Sequence, residues 1–178
     1  KNFFSFAFAS AFACTLVRWD THGYFTGDYG DLSPNSVLKR RNGVCSGYAN
    51  LFDSLVKKME IVSFVVSGFA KGYGYSQKEK ISDDSANHAW NAVYIEDAWY
   101  LLDSTWGSGY AKPGKRGELV FLKKLNDYYF LTPPENFICS HLPKQEYAQL
   151  LDPPITIEEF KQLKKPFFYS TRKTQNKK

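Results

Sequence analysis

The chain has 178 residues, 43% hydrophobic and 23% charged, with a formal charge of +5, enough for one well-buried core and too little for two ordinary domains. Seven Lys and Arg (161, 164, 165, 172, 173, 177, 178) follow residue 160 with no acid among them; taking these seven from +5 leaves the first 160 residues near −2. A basic nucleic-acid platform is thereby excluded for the body of the chain, and no apolar run approaches the roughly 18 residues of a membrane-spanning helix.

In chain order, Lys1 and the apolar run up to Cys14 have the outline of a secretion signal. Ser5 and Ser10 interrupt that run, and a buried first helix over roughly residues 3–17 is the expectation. The chain starts without Met and is expected to be a piece of a longer protein. Residues 20–36, rich in Gly, Asp and aromatics, predict irregular structure, with a short capped helix starting at Ser33. A helix follows from about Cys45 to Met59, because Val44, Tyr48, Leu51, Phe52, Leu55, Val56 and Met59 fall on one face. Residues 62–69 read as a β-branched strand. Residues 70–86 read as a loop, whose Tyr73 and Tyr75 could line a substrate groove. Its Asp83-Asp84 pair is too short for a calcium loop.

Residues 88–104 predict a β-hairpin turning at Glu96-Asp97, and 112–118 a further loop. Strand-like pieces are expected at 119–122 and 128–131, then a Pro-Pro turn and small helical segments. The organisation expected is one domain over residues 1–160 and a basic tail, disordered or a truncated linker, over 161–178.

Three residues sit in contexts suited to chemistry. Cys45 follows Gly43 at the start of a helix, where the dipole favours thiolate. A two-residue turn at Glu96-Asp97 sets Ile95 opposite Ala98 and Trp90 opposite Asp103, which makes His88 and Asp103 diagonal neighbours on one face. A three-residue turn would put them on opposite faces. Cys45 as nucleophile, His88 as its base and Asp103 as the group orienting the imidazole would attack an acyl carbonyl, with helix-start amides receiving the oxyanion. Release to water makes a peptidase or amidase; release to an amine makes a transferase. Three cysteines (Cys14, Cys45, Cys139) cannot all pair and suggest a reducing compartment. Cys139-Ser140-His141 lacks the second ligand pair of a zinc site, and His22 and His141 have no carboxylate or cysteine partner at a telling spacing. No metal and no cofactor is expected.

Five stretches in order carry a resemblance: Gly43-Val44-Cys45-Ser46-Gly47-Tyr48-Ala49-Asn50-Leu51-Phe52; Asn87-His88-Ala89-Trp90-Asn91-Ala92-Val93; Trp99-Tyr100-Leu101-Leu102-Asp103-Ser104-Thr105-Trp106-Gly107-Ser108-Gly109; Tyr129-Phe130-Leu131-Thr132-Pro133-Pro134; and Phe137-Ile138-Cys139-Ser140-His141-Leu142-Pro143. Together they resemble the transglutaminase-like superfamily and, within it, the kyphoscoliosis peptidase-like group. The resemblance implies an α+β, papain-like or transglutaminase-like core in which the nucleophile-bearing helix packs on an antiparallel β-sheet. It implies the same catalytic roles for Cys45, His88 and Asp103, and makes Trp19 a candidate oxyanion-side donor. It also implies a protein substrate, a cytoplasmic and cytoskeletal setting and further domains downstream. The alternative is a cytoskeletal binding or scaffold module that retains the three residues with little turnover.

Overall fold

A computed structural model describes residues 3–72, 74–82 and 85–164, without the side chains of residues 3–6 and 8. Tyr73, Asp83-Asp84 and the expected tail beyond residue 164 lie outside the described residues.

Helix α1 (Phe3–Leu16) is the expected first helix, with Ala9, Ala13 and Cys14 buried. After β1 (Arg18–Trp19), the stretch expected to be irregular holds a helix, α2 (Thr21–Thr26). Asp20 caps it by accepting from the Gly23 N–H, and Gly27, at φ +76°, ends it. Its six residues are too few for apolar periodicity to register. Helix α3 (Pro34–Arg40) starts at the Ser33 cap as expected, and β2 (Asn42–Gly43) lies parallel to β1. Helix α4 (Cys45–Lys57) follows at once; Tyr48, Leu51, Phe52 and Val56 are its buried face, as the periodicity predicted.

Strands β3 (Val62–Ala70), β4 (His88–Ile95) and β5 (Ala98–Leu102) form an antiparallel sheet. Helix α5 (Ser104–Ser108) and the hairpin β6 (Gly109–Pro113) and β7 (Leu119–Lys123) come next. Residues 128–131, expected as a strand, instead begin in a 3-10 turn at Asp127–Tyr129. The Asn126 side chain accepts from the Tyr128 N–H and starts that turn, and the Tyr129 carbonyl accepts from the Asp103 N–H at 2.9 Å. A local cap therefore overrides the β propensity of the aromatics. Helix α6 (Pro134–Phe137), strand β8 (His141–Pro143), a 3-10 turn at Glu146–Gln149 and α7 (Ile157–Gln162) complete the order. Helix α7 is anchored where the Lys71 ammonium donates to the Phe160 and Leu163 carbonyls.

The main sheet runs β5-β4-β3-β8. On one face Val93, Ile95 and Leu102 pack against Phe52 and Val56 of α4 and Ala9 and Ala13 of α1. On the other, Val66, Trp90, Ala92 and Leu101 pack under Tyr129, Phe137 and Ala148. Covering both faces makes β4 almost continuously buried, and each large apolar side chain so placed contributes about 1.5–3 kcal/mol. One polar contact sets the position of α4 along β4: buried Asn91 donates to the Ala49 carbonyl at 3.1 Å. Among the described residues no helix is long and apolar enough to cross a membrane.

Candidate active site

Cys45 is the first residue of α4, half-buried, behind an N-cap (Val44) that has no side chain to accept from the first-turn amides. Of the first-turn amides, the Gly47 N–H turns back to the Val44 carbonyl at 2.9 Å, and those of Cys45 and Ser46 open the helix at the nucleophile's end. His88 is the first residue of β4, and Asp103 follows the last residue of β5. The hairpin has the predicted register, with Ile95 opposite Ala98 and Asn91 opposite Leu102, and His88 Nε2 lies 2.7 Å from Asp103 Oδ2. That engagement leaves Nδ1 as the ring nitrogen for Cys45.

Asp103 serves two structures. Its Oδ1 accepts from the Thr105 and Trp106 N–H groups at 2.7 and 3.0 Å and so caps α5. Its Oδ2 meets His88 and also His141, whose Nε2 lies 3.1 Å away. The expectation that His141 lacks a carboxylate partner is therefore corrected. The two residues are 38 positions apart and meet because β8 joins the sheet on the far side of β3 from β4. No local spacing encodes such a contact; the available signal was that His141 stands inside one of the five matched stretches. Its Nδ1 lies 2.8 Å from Ser140 Oγ, and its ring stacks on Phe137 at 4.1 Å.

The electrostatics separate the three cysteines. Burial pushes the Cys14 thiol up to about 12, and burial also raises Cys139. Burial acts on Cys45 in the same direction, yet the His88 charge, its hydrogen bond and the Ala89 N–H outweigh it, and the thiol is held below the ordinary cysteine range. For His88 burial opposes the charged form, but Asp103 and then Cys45 raise the imidazole to about 10. Burial likewise opposes the Asp103 charge; His88 and the hydrogen bonds from both histidines hold it well below the usual carboxylate range. The shifts of all three groups run in the direction of a thiolate–imidazolium pair backed by a carboxylate.

Trp19 is placed by its backbone, which pairs with Gly43 two residues before Cys45, and its ring packs against Tyr24 and Phe121 with centroids 4.9 and 6.3 Å away. His22 lies on α2. Among the described residues, the group whose ligand atoms lie close enough to hold a metal ion is His88, Asp103 and His141, within 4.8 Å of one another. Both Nε2 atoms lie against the same carboxylate oxygen, and of the three side chains His88 alone has exposed surface, at 9%.

The family model of the transglutaminase-like superfamily matches residues 10–104, and the chain belongs to that superfamily. The matched span holds Cys45, His88 and Asp103 and stops short of His141. Within the superfamily the chain falls in the kyphoscoliosis peptidase-like group. It is 36% identical over 147 residues to kyphoscoliosis peptidase of Mus musculus and of Homo sapiens, covering 83% of this chain and 22% of each relative. It is 33% identical over 170 residues to hillarin of Drosophila melanogaster, covering 89% of this chain and 20% of that protein. The chain thus spans about a fifth of the length of these relatives.

Proposed function

We propose that the chain is a thiol-dependent acyl-transfer domain acting on protein substrates, with Cys45 as nucleophile, His88 as general base and then acid, and Asp103 orienting the imidazole. The observation that carries this reading is the 2.7 Å His88–Asp103 contact beside a half-buried thiol depressed by the same imidazole. The Cys45 sulfur attacks the acyl carbonyl, the carbon–leaving-group bond breaks, and the His88 proton goes to the leaving amine. Water or an amine then displaces the thiol from the thioester. The α4 amides, with Trp19 as a further candidate, receive the oxyanion. A relative named as a peptidase favours hydrolysis within this class, and the cytoplasmic, cytoskeletal setting implied by the group is part of the same proposal.

The test is acyl-enzyme formation from p-nitrophenyl acetate. A burst of nitrophenol with one acetyl group on Cys45 by mass spectrometry is expected, absent in Cys45→Ser and much reduced in His88→Ala. A second reading, a binding module with little turnover, is favoured by one observation: a cleft of about 270 Å³, lined by Phe69, Leu142, Ile155 and Ile157 among others, includes none of the three residues. No burst, with Cys45 alkylated like an ordinary thiol, would put that reading first.

A further inference from the structure

The geometry points to a second histidine in this apparatus: we propose that His141 is a positioning residue, a neutral hydrogen-bond donor that keeps Asp103 ionised and fixed while His88 changes charge. The inference rests on the acyl-transfer reading of Cys45, His88 and Asp103.

During turnover His88 is cationic beside the thiolate and neutral once its proton has gone to the leaving group. In the first phase Asp103 faces a counter-charge. In the second it is a carboxylate 1% exposed that has lost the counter-charge on His88, and burial alone would drive it to take a proton. A protonated Asp103 would no longer hold the Nε2–H tautomer of His88. Donors that persist through both phases prevent this. Two are the Thr105 and Trp106 amides on Oδ1. The third is His141 on Oδ2, the oxygen that His88 itself uses.

The Asp103 carboxylate pulls His141 toward its charged form, and the burial of the ring opposes that pull. Its side chain is fully buried, stacked on Phe137 and 4.5 Å from the Trp106 ring, an apolar box that disfavours an imidazolium. Ser140 Oγ lies 2.8 Å from Nδ1 and 3.5 Å from the Phe137 carbonyl; given to the nearer acceptor, its proton leaves that of the ring on Nε2, directed at Asp103. A neutral His141 also leaves the whole carboxylate charge to His88, whose ring centroid is 5.6 Å away; a cationic one would compete for it. The other titratable groups facing Asp103 are Cys14 of α1 and Cys45 and Tyr48 of α4. Burial keeps Cys14 and Tyr48 in their uncharged forms, and Cys45 is committed to His88.

The test compares wild type, His141→Phe and His141→Gln, following the Asp103 carboxyl by ¹³C NMR and the pH midpoint of Cys45 alkylation by iodoacetamide. In His141→Phe the Asp103 midpoint should rise by about one unit, the worth of a hydrogen bond to a charged group, and the Cys45 midpoint should move toward that of an ordinary thiol. His141→Gln, which keeps an uncharged N–H for Asp103, should stay with wild type. If both variants titrate like wild type, His141 is packing alone and the proposal falls. If Gln shifts as far as Phe, a cation was required, and it falls again. An ordinary Cys45 in wild type would sink the acyl-transfer reading, while the Asp103 midpoint would still decide the role of His141. Should the Phe variant not fold, the imidazole ¹⁵N shifts of wild type decide. A protonated Nε2 with bare Nδ1 from pH ~5 to ~8, where an unconstrained imidazole would titrate, supports the proposal, and an imidazolium pattern overturns it.

Discussion

Ile95 stands directly opposite Ala98, and this pairing brings His88 and Asp103 together. Glu96 and Asp97 both lie in the left-handed region, at φ +50° and +62°, the geometry of a two-residue turn that matches strand twist. From there the register runs back pair by pair to Asn91 opposite Leu102. One step further Asp103 leaves the strand to cap α5 while its other oxygen still reaches His88.

The turn is therefore a place to separate stability from chemistry. Replacing Glu96-Asp97 by Asn-Gly, the pair best suited to this geometry, should stabilise the fold by about 1 kcal/mol, raising Tm by roughly 2–4 °C, with the Cys45 alkylation midpoint unchanged. Inserting one glycine between them should slip the register and raise that midpoint toward an ordinary thiol. Thermal unfolding and iodoacetamide titration read the two effects separately.

Asp103→Asn should keep the α5 cap, since an amide oxygen still accepts from Thr105 and Trp106. Its NH₂ would then face both histidines, and His88 would have to present a bare Nε2 and carry its proton on Nδ1, toward Cys45. That tautomer cannot accept the thiol proton. Acyl-enzyme formation should fall by about 10³–10⁴-fold, as expected when a triad histidine is held in the wrong tautomer. The Cys45 midpoint should return to about 8.5 or above.

Gly68 pairs with His88 on one side and Pro143 on the other, between the strands that carry the two histidines. A Cβ there would run into the Leu142 carbonyl and lie 2.5 Å from Trp90 Cη2 and 2.7 Å from the Pro143 Cα. Gly68→Ala should cost about 1–3 kcal/mol as overpacking, and backbone among the clashing atoms favours the upper end. By prising β8 from β3 it should also raise the Cys45 midpoint. A variant with lowered Tm and an unmoved midpoint would show that the histidines tolerate the shift.

The raised His88 pKa makes the fold sensitive to alkali. Burial lowers it, but Asp103 and Cys45 carry it from the usual 6.5 up to about 10. Folded His88 therefore binds its proton more tightly than unfolded His88. Its stabilisation is complete below pH ~6.5 and is lost as pH rises through about 10. Cys45 ionisation runs the other way, so the comparison belongs in a Cys45→Ser background, where Asp103 still raises His88. There Tm should fall between pH ~7 and ~10, and the fall should be shallower with His88→Gln added.

Legibility followed contact range. The α4 face was readable because Tyr48, Leu51, Phe52 and Val56 repeat at helical spacing, and the His88–Asp103 meeting because one hairpin turn fixes both positions. The short helix α2 was missed because its Asp20 and Gly27 caps bracket only six residues. The 3-10 turn at Asp127–Tyr129 was missed because one Asn126 cap outweighs aromatic β propensity.

What the amino-acid order determined by itself was therefore local: a cysteine opening an amphipathic helix and a histidine and an aspartate on one face of a tight hairpin. Only the tertiary structure decided that β8 would join the sheet beside β3 and deliver His141 to the second carboxylate contact. The reason is physical. A hairpin register follows from the chemistry of its turn residues, whereas the docking of a three-residue strand carries almost no periodic signal of its own. That docking is set by packing against Gly68, Phe69 and Ala70, distant partners that come together only when the core closes.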